Sequence, residues 1–434
     1  MSDILDIDKR HIWHPFTQHA TERDPIVVTK AAGASLFDED GNEILDLISS
    51  WWTCIHGHAH PALVRTLAEQ AAKLEHVMFA GFTHPPAAEL SQSLAAALPV
   101  DLNRVFFSDN GSTSVEVALK LAFQYHRNKG DAARAEFFAF EGGYHGDTLG
   151  AMSVGRGSNF FTLFQDLMCP VHPVPYAHTW EGDNSIAARE EDALRAFAQA
   201  LGEHGGNAAA LIIEPLMQGA SGFRFSRPEF IRRMSQMARD AGVLVIFDEV
   251  ATGFGRTGTL FACEQVDFVP DIICLSKALT AGMLPMAVTV AREGVYDAFL
   301  SDKFDTALAH GHTFTANPLA CAVACKSLEL FEQNKALEKV AHIGARNREQ
   351  LTRLMEHDKL EHPRAMGCML AFELAGSDGH YKTDAGERLR DWYLKNGLNI
   401  RPLGPTVYLM PPYCITEAEL ARAYAGLFEG LEHI

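Results

Sequence analysis

Val243-Leu-Val-Ile-Phe-Asp-Glu-Val250 and Ile272-Ile-Cys-Leu-Ser-Lys-Ala278 each read as a buried β-strand that runs straight into a charged side chain. In an open parallel sheet, functional groups collect where strands end at their carboxyl edge. Asp248 and Lys277, 29 positions apart, therefore fall on one edge of one sheet. Further short β-rich runs lie outward from this pair at Arg104–Ser108, Glu136–Phe140, Ala209–Ile213 and Met286–Val290. Between them, helix-period stretches cover Pro61–Leu74, Pro85–Leu98, Ser114–Asn128, Arg189–Leu201 and Arg227–Ala241. Strands alternating with helices predict an α/β fold with a mostly parallel central sheet and helices on both faces. Residues 30–50 alternate extended pieces with turns, and Asp40-Gly41 marks a hairpin. One long helical stretch is expected over Pro318–Glu356. The expected organisation is a large α/β domain over 61–315 and a smaller α+β domain over 316–434, with the N-terminal segment 1–60 packing on the smaller one.

The chain of 434 residues carries 37 lysines and arginines against 55 aspartates and glutamates, a net charge of −18. That excess of acid excludes a broad nucleic-acid surface and leaves room for one local anion pocket. Eight scattered cysteines without a C-x-x-C pair suit free thiols in a reducing compartment. Met1–His14 lacks an apolar signal core, and no apolar run reaches the ~18 residues a membrane span needs. A cytoplasmic protein without membrane or nucleic-acid partners is expected.

A lysine amine can form a Schiff base, and a nearby carboxylate can hold a pyridinium nitrogen protonated. Lys277 and Asp248 thus divide the labour that pyridoxal phosphate requires. A phosphate cradle is legible in Ser108-Asp-Asn-Gly-Ser-Thr113, which follows a strand and opens a helix. Gly111 permits close backbone approach, Ser112 and Thr113 supply hydroxyls, and the helix start offers free N–H groups. Thr113-Ser-Val-Glu116 also fits a capping box, which accounts for part of this signal. Tyr144, in Gly142-Gly-Tyr-His-Gly146 after a β run, can stack over a flat ring. Gly253-Phe-Gly-Arg-Thr-Gly258 matches a dinucleotide fingerprint, but Asp248–Thr252 separates its first glycine from the strand end, so nicotinamide chemistry is not expected. His56, His58 and His60 lie in a stretch broken by Gly57 and Pro61, which argues against a metal site.

Eight motifs occur in order along the chain: Trp13-His-Pro-Phe-Thr-Gln18, Ser49-Ser-Trp-Trp52, the Ser108–Thr113 loop, Gly143-Tyr-His-Gly-Asp147, Phe247-Asp-Glu-Val-Ala-Thr-Gly253, Leu275-Ser-Lys-Ala278, Thr313-Phe-Thr-Ala-Asn-Pro318 and Leu409-Met-Pro-Pro412. Together they resemble the class III (ω-type) pyridoxal-phosphate aminotransferases of fold type I, over nearly the whole chain. The resemblance implies that Lys277 carries the cofactor and later moves a proton, and that Asp248 pairs with the pyridine nitrogen. Val250 would pack on a ring face, while Gly111 and Ser112 would bind the phosphate. Thr313 would complete that phosphate site from a partner subunit, so a homodimer with shared active sites is implied. Glu214 and Gln218 would flank the cofactor's O3′ side. Trp51 and Tyr144 would line the substrate pocket together with Phe16, Gly311 and His312, with Tyr144 also among the catalytic groups. Arg401 would meet a substrate carboxylate.

Within that family, the tryptophan pair and the first and last motifs are similar to members that aminate 8-amino-7-oxononanoate to 7,8-diaminononanoate in biotin biosynthesis. Their exchange is ping-pong, through pyridoxamine phosphate, with S-adenosylmethionine as donor. Two positions depart from the adenosylmethionine-using pattern: Phe16 replaces a tyrosine and His312 replaces a proline. Relatives that use lysine as donor resemble this chain at both. The rival readings are a broad ω-amine:pyruvate or diamine transaminase, and a silent cofactor-binding protein, against which Lys277 and Asp248 both speak.

Overall fold

The structure is a computed structural model that describes residues 3–155, 159–376 and 383–433. In chain order its strands are β1 (Val28–Ala32), β2 (Ser35–Asp38), β3 (Glu43–Asp46), β4 (Leu102–Ser108), β5 (Glu136–Phe140), β6 (Val171–Val174), β7 (Ala208–Ile213), β8 (Met217–Gln218), β9 (Arg224–Phe225), β10 (Leu244–Asp248), β11 (Ile272–Leu275), β12 (Ala287–Arg292), β13 (Leu360–Met366), β14 (Met369–Leu374), β15 (Leu398–Asn399) and β16 (Thr406–Leu409).

Seven strands form the central sheet in the order β4-β12-β11-β10-β7-β5-β6. From β11 to β6 all pairings are parallel, whereas β12 runs antiparallel to both neighbours. Every residue of β7 and β11 is buried, as expected for strands covered on both faces. The alternation of side chains divides the core. Ile246, Ile272 and Cys274 pack with Val115, Ala118 and Ala122 of the helix Gly111–Asn128 on one face. Val245, Phe247, Ile273 and Leu275 face the larger cluster on the other.

β2 and β3 pair antiparallel across the Asp40-Gly41 turn, where the Asp38 carboxylate accepts the N–H groups of Asp40 and Asn42 at 3.0 and 2.8 Å. β15 joins the edge of this N-terminal sheet, parallel to β3 with Leu398 opposite Leu45. The C-terminal part of the chain thereby closes onto residues 28–46. β13, β14 and β16 form a separate antiparallel sheet. Among the described residues, no helix is long and apolar enough to cross a membrane.

The structure corrects two local expectations. The stretch Pro318–Glu356 is two helices, Pro318–Gln333 and Ala336–Met355, because Lys335 takes a left-handed φ of 50° that no helix accommodates. The capping box at the phosphate loop is not Thr113–Glu116. Asn110 is the N-cap, and its side chain accepts from Thr113 N at 3.0 Å while Thr113 Oγ1 accepts from Asn110 N at 3.1 Å. Glu116 instead reaches across to accept the N–H groups of Gly150 and Ala151.

Candidate active site

β10 ends on Asp248 and β11 ends two residues before Lys277, with Asp248 opposite Cys274, so the two groups share the carboxyl edge of the sheet. The Lys277 backbone turns out of the strand at a left-handed φ of 41°, and Ser276 Oγ fastens the bend by donating to Met286 O at 2.8 Å. Strain of this kind persists only where neighbours over-determine it. Lys277 Nζ lies 4.7 Å from the ring centroid of Trp52. Burial lowers its pKa, and the charges of Asp248 and Glu214 only partly restore it. The amine is thus shifted toward the neutral, nucleophilic form.

Asp248 Oδ2 lies 2.7 Å from Nδ1 of the buried His145, and Asp248 Oδ1 accepts from Val250 N at 3.1 Å. Burial opposes charge on His145, but the hydrogen bond and charge of Asp248, helped by Glu214, outweigh it and raise the pKa. Glu214 accepts from Tyr144 N at 2.9 Å and from Gly219 N at 3.0 Å. Its burial pushes the carboxyl up to about 7; His145 pulls it down and Asp248 pushes it further up. Acid and base groups of shifted pKa are therefore held close together, the arrangement proton-transfer sites use.

The helix Gly111–Asn128 points its N-terminus at this cluster. Ser112 Oγ lies 2.7 Å from Thr148 Oγ1 and accepts from Thr148 N at 3.0 Å. Two glycines make the approach feasible. A Cβ on Gly111 would sit 2.7 Å from Val250 Cγ1, and one on Gly146, at φ +121°, would sit 2.3 Å from Ser112 Cβ. Gly146→Ala is therefore expected to cost about 1–3 kcal/mol of backbone strain. Displacement of Ser112 should also weaken cofactor retention. A lower Tm together with a weaker pyridoxal-phosphate titration checks this.

These groups line one cavity of about 710 Å³ with Phe16, Trp51, Trp52, Gly111, Ser112, Tyr144, Glu214, Asp248, Val250 and Lys277 on its wall. Its far wall is a left-handed turn: Ser49, Ser50, Trp51 and Trp52 have φ of 51°, 44°, 66° and 75°. Ser49 Oγ donates to Met410 O at 2.7 Å and Trp52 Nε1 donates to Tyr408 Oη at 3.1 Å, which hold the turn from the C-terminal part of the chain. Phe16 meets Trp51 edge-on at 6.0 Å. Behind Trp51 a second chamber of about 560 Å³ shares Pro15, Phe16 and Trp51 with the first and contains Arg401, whose guanidinium sits 5.0 Å from the Trp51 ring.

Not every residue singled out from the sequence reaches this cavity. Gln218 lies behind Gly142 with its Nε2 donating to Glu141 O, and it does not line the wall. Gly311, His312 and Thr313 stand outside it; Thr313 is exposed, and His312 Nδ1 lies 3.3 Å from Asp109 Oδ2. Tyr144 stacks on Phe161 at 5.8 Å and donates through its hydroxyl to Asp147 at 3.1 Å. The tryptophan pair, which the sequence reading placed on a pocket wall or a subunit interface, lines the cavity; sequence reasoning missed His145, Thr148 and Asn110 as members of the site. His145 sat inside a quoted motif, but its partner Asp248 is 103 residues away. The Gly253–Gly258 segment forms turns around the buried Arg256, whose Nη2 donates to Trp52 O at 3.0 Å and Cys54 O at 3.3 Å. Glu249 accepts from Ala262 N and Cys263 N, at the start of the helix Ala262–Val266. His56 bonds Ser327 and His58 bonds Asp46.

The donor set fits pyridoxal phosphate. An amine of lowered pKa, a carboxylate backed by a buried histidine, and a helix N-terminus with a hydroxyl and two glycines face one cavity. A Cβ at either glycine would fill the cradle.

The Aminotransferase class-III family profile matches residues 17–431. The adenosylmethionine-8-amino-7-oxononanoate aminotransferase of Synechococcus elongatus is 48% identical over 427 residues, covering 98% of this chain and 99% of its own. The enzyme of the same name from Geobacter sulfurreducens is 38% identical over 442 residues, with 99% and 98% covered. The crystal structure of the adenosylmethionine-8-amino-7-oxononanoate aminotransferase of Methanocaldococcus jannaschii superposes with a TM-score of 0.92 at 32% identity, covering 99% of this chain and 98% of its own. With its fold, its lysine–carboxylate pair and its phosphate cradle accounted for, the chain belongs to the class III aminotransferases, pyridoxal-phosphate-dependent enzymes of fold type I.

Proposed function

We propose that this aminotransferase converts 8-amino-7-oxononanoate to 7,8-diaminononanoate in two half-reactions, taking the amino group from S-adenosylmethionine. The observation that carries the reading is the full-length 48% identity to a relative named for that acceptor. The Arg401 chamber behind Trp51 supports it, since a long keto acid needs a cation remote from the reacting carbon.

Bound pyridoxal phosphate supplies an electrophilic carbon and an electron sink for charge developing next to nitrogen. Lys277 Nζ anchors the cofactor and, when freed, takes the proton from the amine-bearing carbon of the donor and returns one to the acceptor. Asp248 holds the pyridine nitrogen protonated, with His145 behind it stabilising the carboxylate. The N–H groups at Gly111 and Ser112, with the Ser112 hydroxyl, hold the phosphate, while Val250 and Tyr144 position the ring. Glu214 orients the O3′ side, with Gln218 behind it. Trp51 and Phe16 exclude water above the reacting carbon. Thr313, outside its own cavity, reaches the phosphate of a second copy, with Gly311 and His312 beside it, which makes the working unit a homodimer.

Phe16 and His312 favour L-lysine as the second reading of the donor. The test adds S-adenosylmethionine and L-lysine separately to the holoenzyme and follows the visible cofactor band. Loss of the band with S-adenosylmethionine, followed by diaminononanoate formation on adding the oxononanoate, is the expected result. Loss with lysine alone reassigns the donor, and turnover of simple ω-amines with pyruvate but none with the oxononanoate overturns the acceptor. Arg401→Ala is expected to raise KM for the oxononanoate about 10- to 100-fold, the equivalent of losing ~1.5–3 kcal/mol of charge-assisted hydrogen bonding. Steady-state kinetics against the acceptor check this.

A further inference from the structure

At the opposite end of the central sheet from Lys277, the structure gathers three metal-ligating side chains that transamination does not use. Glu136 opens β5, and His172 lies in the neighbouring β6 beside it. His204 ends the helix Ile186–His204, which returns the chain toward β7. One ligand atom from each lies within 4.8 Å of the other two, and among the described residues this is the only such trio of histidine, cysteine, aspartate or glutamate. His172 Nε2 is 2.7 Å from Glu136 Oε2, and the His172 and His204 rings stack with centroids 3.8 Å apart and planes 16° from parallel. Glu203 adds a carboxylate oxygen 3.8 Å from His204 Nε2.

We propose that Glu136, His172 and His204 bind one divalent transition-metal ion, with zinc the best match to the ligand set. Two imidazole nitrogens and one carboxylate oxygen are borderline ligands that zinc takes at about 2.0–2.2 Å. The ion would take the place of the 2.7 Å hydrogen bond between His172 Nε2 and Glu136 Oε2. An imidazole nitrogen binds a metal in the plane of its ring, so the His204 ring must turn out of the stack for its nitrogen to take the third ligand place. All three side chains are partly exposed, so water completes the tetrahedron. The ion would clasp β5, β6 and the end of the helix at the edge of the sheet. Because Glu136 and His172 lie at the start of β5 and β6 while Asp248 ends β10, the clasp acts on stability and takes no part in amino transfer.

The test uses the pyridoxal-phosphate-loaded enzyme after chelator treatment, titrated with Zn²⁺ by calorimetry and by thermal melting. One equivalent bound per chain with a rise in Tm is expected. His204→Ala and Glu136→Gln should each weaken that equivalent by at least roughly tenfold and abolish the rise, with metal-free transaminase activity unchanged. No stoichiometric binding by the wild type overturns the proposal. So does undiminished binding by both variants, which would move the ion elsewhere, for instance to the exposed Cys169.

Discussion

Lys277→Ala is expected to lower amino transfer by about four orders of magnitude, the upper range for a positioned proton-transfer group. Two losses combine in it. The amine that tethers the cofactor is gone, and nothing else in the cavity offers a neutral amine beside the reacting carbon. The side chain lies over Trp52 without bonding the sheet, so the fold should survive. The left-handed φ of 41° is shared by wild type and variant, so strain does not confound the comparison. The expected pattern is a Tm within a few degrees of wild type, no lysine-linked visible band, and partial recovery on adding a small primary amine. A variant that keeps a tenth of the wild-type rate would remove Lys277 from the chemistry.

Asp248→Asn is the second large effect, expected to slow turnover by roughly 10²–10³-fold, the scale of removing one preorganised charge from a desolvated site. The amide cannot hold the pyridine nitrogen protonated, and it leaves His145 without its counter-charge. The pH dependence has a defined sign. His145 holds its proton more tightly in the folded chain than in the unfolded one. Its contribution is therefore full below the ordinary histidine range of about 6.5 and fades as pH rises through the higher folded value. The Tm gap between wild type and Asp248→Asn should be widest on the acid side of that window and narrow above it. A gap independent of pH would mean that His145 is neutral in the native protein.

The sheet and its catalytic edge were legible because buried parallel strands leave a strong signature. Val243–Phe247 and Ile272–Leu275 are apolar runs ending in a charge, and the strands begin or end within a residue of those limits. Strand direction was not legible: β12 carries the same kind of apolar run as its parallel neighbours. β6, only Val171–Val174 and containing a proline, gave too little periodicity to notice. Side-chain positions were legible where a motif placed the group at a strand or helix end, as for Asp248, Lys277 and Ser112. Groups defined by a distant partner stayed hidden. His145 needs Asp248, and Thr148 needs Ser112. Glu116 shows the opposite error, since a local capping pattern fitted while the side chain bonds residues 34 and 35 positions away.

The left-handed turn at Ser49–Trp52 also bears on how the enzyme is made. Its anchors, Met410 and Tyr408, lie 361 and 356 positions further on, and β3 lacks β15 until residue 399 exists. A ribosome has therefore added more than 350 residues beyond the turn before one wall of the catalytic cavity can set. Contacts of such sequence separation form late and slowly. The nascent chain can build its central sheet early, yet it stays without a finished substrate chamber until Tyr408 and Met410 are made. A chain cut before Tyr408 would then keep a folded sheet that is catalytically empty.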